Sequence, residues 1–179
     1  MKKYPITISA TITKEKLLKG TFIFIYRATR IPPHLGVISN GLLYDITTVG
    51  PNVDMPIEDF YNTAVKRGTE VLFVELAHSD LTTNKTIAEK VKKHWKVTTT
   101  TSCLLPIKDF LQEWKEINLE KTTYFFDVLP LLEKEDMILG VYELNLQHKL
   151  QNNTIQLIKY TKKDIASCIS TINRKERMK

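Results

Sequence analysis

Cysteine is scarce in this sequence: among 179 residues only Cys103 and Cys168 occur, 65 positions apart and in no shared motif. That excludes a disulfide framework and makes a reducing compartment the expectation. Long apolar runs are missing too, and no window approaches the roughly 20 apolar residues of a membrane-spanning helix. The opening MKKYPITISATITKEK has two lysines but no apolar stretch long enough for a signal-peptide core, so a cytoplasmic location is expected. No basic stripe interleaved with aromatics runs mid-chain, which argues against nucleic acid as a partner. The four histidines, His34, His78, His94 and His148, are dispersed and stand in no ligand-like spacing with either cysteine. No metal and no cofactor are therefore expected.

What is present fits one globular domain over 1–179: 42% hydrophobic residues, no internal repeat and no low-complexity linker. The formal charge of +6 is concentrated at the ends, in Lys2 and Lys3, Lys162 and Lys163, then Arg174, Lys175, Arg177 and Lys179. Such runs read first as solvated faces, with a mild leaning towards an anionic partner such as a polyanionic polymer or anionic lipid. Periodicity predicts an α+β fold, a small antiparallel sheet packed against helices. A short helical turn over 14–20 ends at Gly20, and 21–26 is a buried strand. Helices are expected over 56–67, stopped by Gly68, and over 84–95, with Ile87, Ala88, Val91 and Trp95 inward. Residues 70–76 form a strand, 97–101 are extended, and Cys103 opens a helix to about 115. Beyond it, 124–132 read as helical, 137–144 and 154–160 as an antiparallel strand pair, and 163–174 as a terminal helix.

The chemistry starts at a hairpin. Asn40-Gly41 between two apolar runs is the strongest short-range signal for a two-residue turn. With those two residues as the turn, Ser39 faces Leu42, Ile38 faces Leu43, Gly36 faces Asp45 and His34 faces Thr47. Alternation then puts His34, Gly36, Ile38, Leu43, Asp45 and Thr47 on one face. His34 and Asp45 become diagonal neighbours, about 5–8 Å apart at Cβ, and Gly36 has no side chain to come between them. A carboxylate there can fix the imidazole tautomer and leave the other ring nitrogen for proton transfer. Taken singly, each residue also reads as an ordinary strand-end polar group.

Cys103 stands three residues before Pro106, which lacks an N–H and is tolerated only in a helix's first turn. The helix start thus falls near Ser102-Cys103, where the helix amino end favours the thiolate, the nucleophilic form. Its first-turn N–H groups are candidates for stabilising an oxyanion. A lone cysteine also serves commonly as a small buried hydrophobe. Cys168, in a plain apolar helical pattern, takes that second reading.

The stretch LLKGTFIFIYRATRIPPHLGVISNGLLYDI, followed later by TTTTSCLLPIKDFL, resembles the circularly permuted NlpC-type papain-like thiol enzymes, a group that includes lecithin:retinol acyltransferase-like proteins. The shared pattern is Leu17 with Gly20 leading into a strand, His34 with Gly36, the Asn40-Gly41 turn, Asp45 on the returning strand, and Cys103 downstream at a helix start. The resemblance covers about residues 15–115, with 116–179 as a C-terminal elaboration carrying the strand pair and helix. It implies a permuted papain-like fold with Cys103 as nucleophile, His34 as its base and Asp45 orienting the ring. Acyltransferase members usually carry His as the third residue and an Asn-Cys-Glu-like context at the nucleophile. Asp45 and Ser102-Cys103-Leu104 depart from both, so hydrolysis of an amide or ester in a peptide, amide or acyl substrate leads, with acyl transfer as an alternative. A non-catalytic binding or scaffold module on the same fold is the other, for which YFFDVLPLLEKEDMILGVYEL is the candidate docking surface and otherwise core.

Overall fold

A computed structural model describes residues 2–77 and 83–168. His78, the basic residues from Arg174 onward and the end of the expected 163–174 helix lie outside the described residues; 162–168 are helical. In chain order the elements are β1 (Lys3–Thr7), β2 (Ala10–Thr11), α1 (Lys14–Leu17), β3 (Thr21–Tyr26), β4 (His34–Ser39), β5 (Leu42–Ile46), β6 (Pro51–Pro56), α2 (Ile57–Lys66), β7 (Val71–Leu76), α3 (Thr83–His94), α4 (Leu105–Lys115), α5 (Phe125–Lys134), β8 (Ile138–Leu144) and β9 (Thr154–Ile158). The fold is mixed α+β.

β3 and β7 are near-continuous in β-branched, aromatic and leucine residues because they are covered on both faces. They lie at the centre of a seven-stranded sheet ordered β2-β8-β7-β3-β4-β5-β6. One face, with Phe22, Phe24, Ile38, Leu43 and Phe73, packs on Leu17 of α1 and Ile57 and Ala64 of α2. The other, with Ile23, Ile25, Val37, Tyr44, Leu72 and Val74, packs on α3, α4 and α5 through Ile87, Val91, Ile107, Phe110, Val128 and Leu132.

The segment 125–144 is core: Phe125, Val128, Leu129, Leu132, Met137, Val141 and Leu144 are all buried. The expected pairing of 137–144 with 154–160 is not found. β9 pairs with β1, Lys3 opposite Ile158, while β8 lies between β2 and β7. The physical reason is that β7, buried along its whole length, needs a partner on the side away from β3, and the apolar β8 supplies it. The sheet is accordingly larger than the small antiparallel one expected, and its β2–β8 pairing is parallel. Two local readings also change. Trp95 leaves the inward stripe because α3 ends at His94; it has φ 58° and is 60% exposed. Residues 98–101 form a turn rather than an extended run, since the Thr98 hydroxyl accepts from the amides of Thr100 and Thr101 (3.2 and 3.0 Å). Such local side-chain bonds compete with extended backbone.

Among the described residues, no helix is long and apolar enough to cross a membrane.

Candidate active site

Asn40 and Gly41 take φ 50° and 77°, the left-handed pair of a type I′ turn. The turn is tied down where the Asn40 and Gly41 amides donate to the carbonyls of Gly20 and Leu17. It sets the register Ser39 opposite Leu42, Ile38 opposite Leu43 and Val37 opposite Tyr44. Continuing that ladder brings Gly36 to Asp45, so closely that a Cβ on Gly36 would lie 2.7 Å from the Asp45 Cβ. The absent side chain lets the His34 ring reach diagonally across, and His34 Nε2 meets Asp45 Oδ2 at 2.7 Å. Asp45 is 6% exposed and His34 is half-buried, its ring 5.9 Å from that of Phe24.

Cys103 arrives from the opposite side of the sheet, around its end. The Val97 amide donates to the Thr47 carbonyl at 2.8 Å, pinning the loop after α3 to the residue that follows β5. This is also the end at which β4 begins with His34. Cys103 does not open the helix as expected. It sits in a turn closed by the Leu105 amide donating to the Ser102 carbonyl (3.1 Å), and α4 starts at Leu105 with Pro106 in its first turn. The proline governs the boundary as expected; the turn before it moves Cys103 just outside the helix. Its side chain is half-buried and lies near enough to the His34 ring to affect its charge. With Nε2 engaged by Asp45, Nδ1 is the ring atom left for the sulfur.

All three sequence-predicted residues are therefore brought together. Burial of the His34 ring pulls its pKa down, but the hydrogen bond to Asp45 and the interaction with Cys103 outweigh it, and the pKa is raised to about 10. The ring holds its proton at neutral pH.

Comparison of the chain with protein-family models, with curated proteins and with solved structures finds no match.

Three neighbours of the site carry no sequence signal of their own. Asn52 of β6 donates from Nδ2 to Asp45 Oδ1 at 2.7 Å; the 48–56 segment has no motif, and only the β5–β6 pairing brings Asn52 there. Phe24, within a buried strand run, forms the wall against His34. Tyr160 follows β9 and packs edge-on against Tyr124 and Phe126, with ring centroids 5.0 and 5.2 Å away. Its phenol is pushed far up, first by burial and then by the charge of Cys103, which places it in the electrostatic reach of the thiol. The remaining described histidines are engaged elsewhere, His94 with Asp109 at 3.0 Å and His148 with Glu70 at 3.4 Å. Among the described residues, no group of three or more His, Cys, Asp or Glu is arranged to hold a metal ion. Cys168 is half-buried in the 162–168 helix.

The arrangement sets a thiol near an imidazole that a buried carboxylate holds in place. Those are the parts needed for attack on a carbonyl carbon and proton delivery to its leaving group.

Proposed function

We propose that this chain is a thiol-dependent hydrolase of an amide or ester bond, on a permuted papain-like arrangement in which histidine precedes cysteine. The observation that carries the reading is the His34 ring, held by Asp45 through Nε2 at 2.7 Å with the Cys103 thiol close enough to raise its pKa. In the resting pair His34 already holds the proton. The Cys103 sulfur attacks the substrate carbonyl carbon; an S–C bond forms and the carbonyl π electrons move onto oxygen, with the Cys103 amide as a donor to that oxyanion. Collapse expels the amine or alkoxide, which takes the proton from His34, and leaves a thioester on Cys103. Water then adds to the thioester, giving its proton to His34, and the carboxylic acid leaves as the thiolate is regenerated. Asp45 holds the ring in one orientation throughout and stabilises its charge. The burial of Phe125, Val128, Leu129 and Leu132 takes the strongest apolar candidate for a scaffold's docking surface into the core.

Alkylation of Cys103 by iodoacetamide tests this. At pH 6 a free thiol with a pKa near 8.5 is only about 0.3% thiolate. Cys103 is expected to react on the order of tenfold or more faster than free glutathione at that pH, and His34→Ala is expected to remove the advantage. Reaction of Cys103 at the glutathione rate would overturn the proposal.

A further inference from the structure

We propose that Asn52 is a positioning residue for the His34–Asp45 pair, and that the β5–β6 bulge exists at the position that delivers it. The pairing begins with Leu42 opposite Pro56 and Leu43 opposite Met55. Continued without interruption, that register would place Asp54 opposite Tyr44 and Val53 opposite Asp45, leaving an isopropyl group against the carboxylate. Instead the register shifts between Leu43 and Asp45, so that Asn52 faces Asp45 and Pro51 faces Ile46. One extra residue on β6 makes the change, as in a β-bulge.

The local sequence suits the shift. Asp54 takes φ 55°, a left-handed conformation that aspartate adopts more readily than most residues. Its Oδ1 accepts from the hydroxyl of fully buried Tyr44 at 2.6 Å, which locks the extra residue in place.

The chemistry of Asn52 fits the place it is given. A carboxylate only accepts hydrogen bonds, so Asn52 presents its NH2 group to Oδ1 while His34 takes Oδ2, both at 2.7 Å. With both oxygens engaged and the residue 6% exposed, Asp45 cannot turn away from the ring without leaving a buried polar atom unpaired. An amide supplies this bond without charge. A lysine or arginine would compete with His34 for the negative charge, and an aspartate would repel Asp45.

This role rests on the thiol chemistry proposed above, and its test separates the two. The groups facing His34 are Asp45 from β5, Cys103 from the turn before α4, and Tyr26 and Phe24 from β3. A double-mutant cycle on the full chain combines Asn52→Leu with Asp45→Ala. Two quantities are read: the Cys103 alkylation rate at pH 6, and the His34 titration followed by nuclear magnetic resonance. Asn52→Leu alone is expected to slow alkylation about tenfold and move the His34 pKa back towards the ordinary imidazole value. In the Asp45→Ala background it is expected to change neither, because a residue that acts through Asp45 has nothing left to act on. Asn52→Asp, which keeps the size of the side chain, is expected to slow alkylation too and covers a leucine variant that folds poorly. An unchanged rate and titration in Asn52→Leu, or an equal loss with and without Asp45, overturns the positioning role. Slow alkylation of the unmodified chain refutes the hydrolase reading, and the His34 titration then decides the Asn52 role by itself.

Discussion

Gly36 is where fold and site meet most closely, and replacing it with alanine is a severe test of the geometry. An added Cβ would lie 2.5 Å from two ring carbons of Phe24 and 2.7 Å from the Asp45 Cβ. Ordinary contact begins at 3.4 Å, so these approaches fall short by about 0.9 and about 0.7 Å. Neither neighbour has room to give. The Phe24 ring is fully buried and packed against Phe60 at 5.1 Å and His34 at 5.9 Å, and the Asp45 carboxylate is held at both oxygens. Relief requires β4 to move away from β3 or β5, which places the cost near the upper end for overpacking, about 3 kcal/mol. For a chain of this size that corresponds to a drop of about 1.5 M in the urea midpoint, at an m-value of about 2 kcal/mol/M. Any displacement of Asp45 also lengthens its bond to His34, so Cys103 alkylation at pH 6 should slow along with the loss of stability. Gly50→Ala is the control, because a Cβ there meets nothing within 4 Å; its unfolding free energy should stay within about 0.5 kcal/mol of the parent. A Gly36→Ala variant as stable and as reactive as the parent would refute the close approach of β4 to β5 on which the whole site depends.

The His34 pKa of about 10 lies above its ordinary 6.5, so the stability it contributes is complete below about pH 6.5 and is lost as pH rises through about 10. Thermal midpoints of the parent should therefore exceed those of His34→Gln most at pH 6, with the gap closing by pH 10; a gap that widens with pH contradicts the assignment. Leu132→Ala removes a fully buried side chain of α5 and is expected to cost about 2–5 kcal/mol in urea unfolding. A cost near zero would return that segment to the surface.

Much of this protein was written locally. The Asn40-Gly41 turn, the apolar run of β3 and the alternation of β4 and β5 were enough to put His34, Gly36 and Asp45 on one face, because hairpin register follows from the turn residues and side chains alternate with a fixed period of two. Pro106 located the start of α4 to within about two residues, because a residue without an N–H fits only a helix's first turn. The tertiary structure decided what local rules leave open. β8 could pair with any neighbour of matching apolarity, and the two-sided burial of β7 directed it there rather than to β9. Trp95 has the spacing of an inward residue, yet α3 ends one residue before it. Asn52 reaches Asp45 only through a one-residue slip at which the Tyr44–Asp54 bond joins two strands. Cys103 and His34, 69 residues apart in sequence, meet because the loop after α3 is pinned at Thr47, around the end of the sheet. Periodicity and turn chemistry act over a few residues, and that is as far as the sequence alone could determine; the meeting of thiol and imidazole depends on which strands pair and which loop rounds the edge, and packing alone settles both.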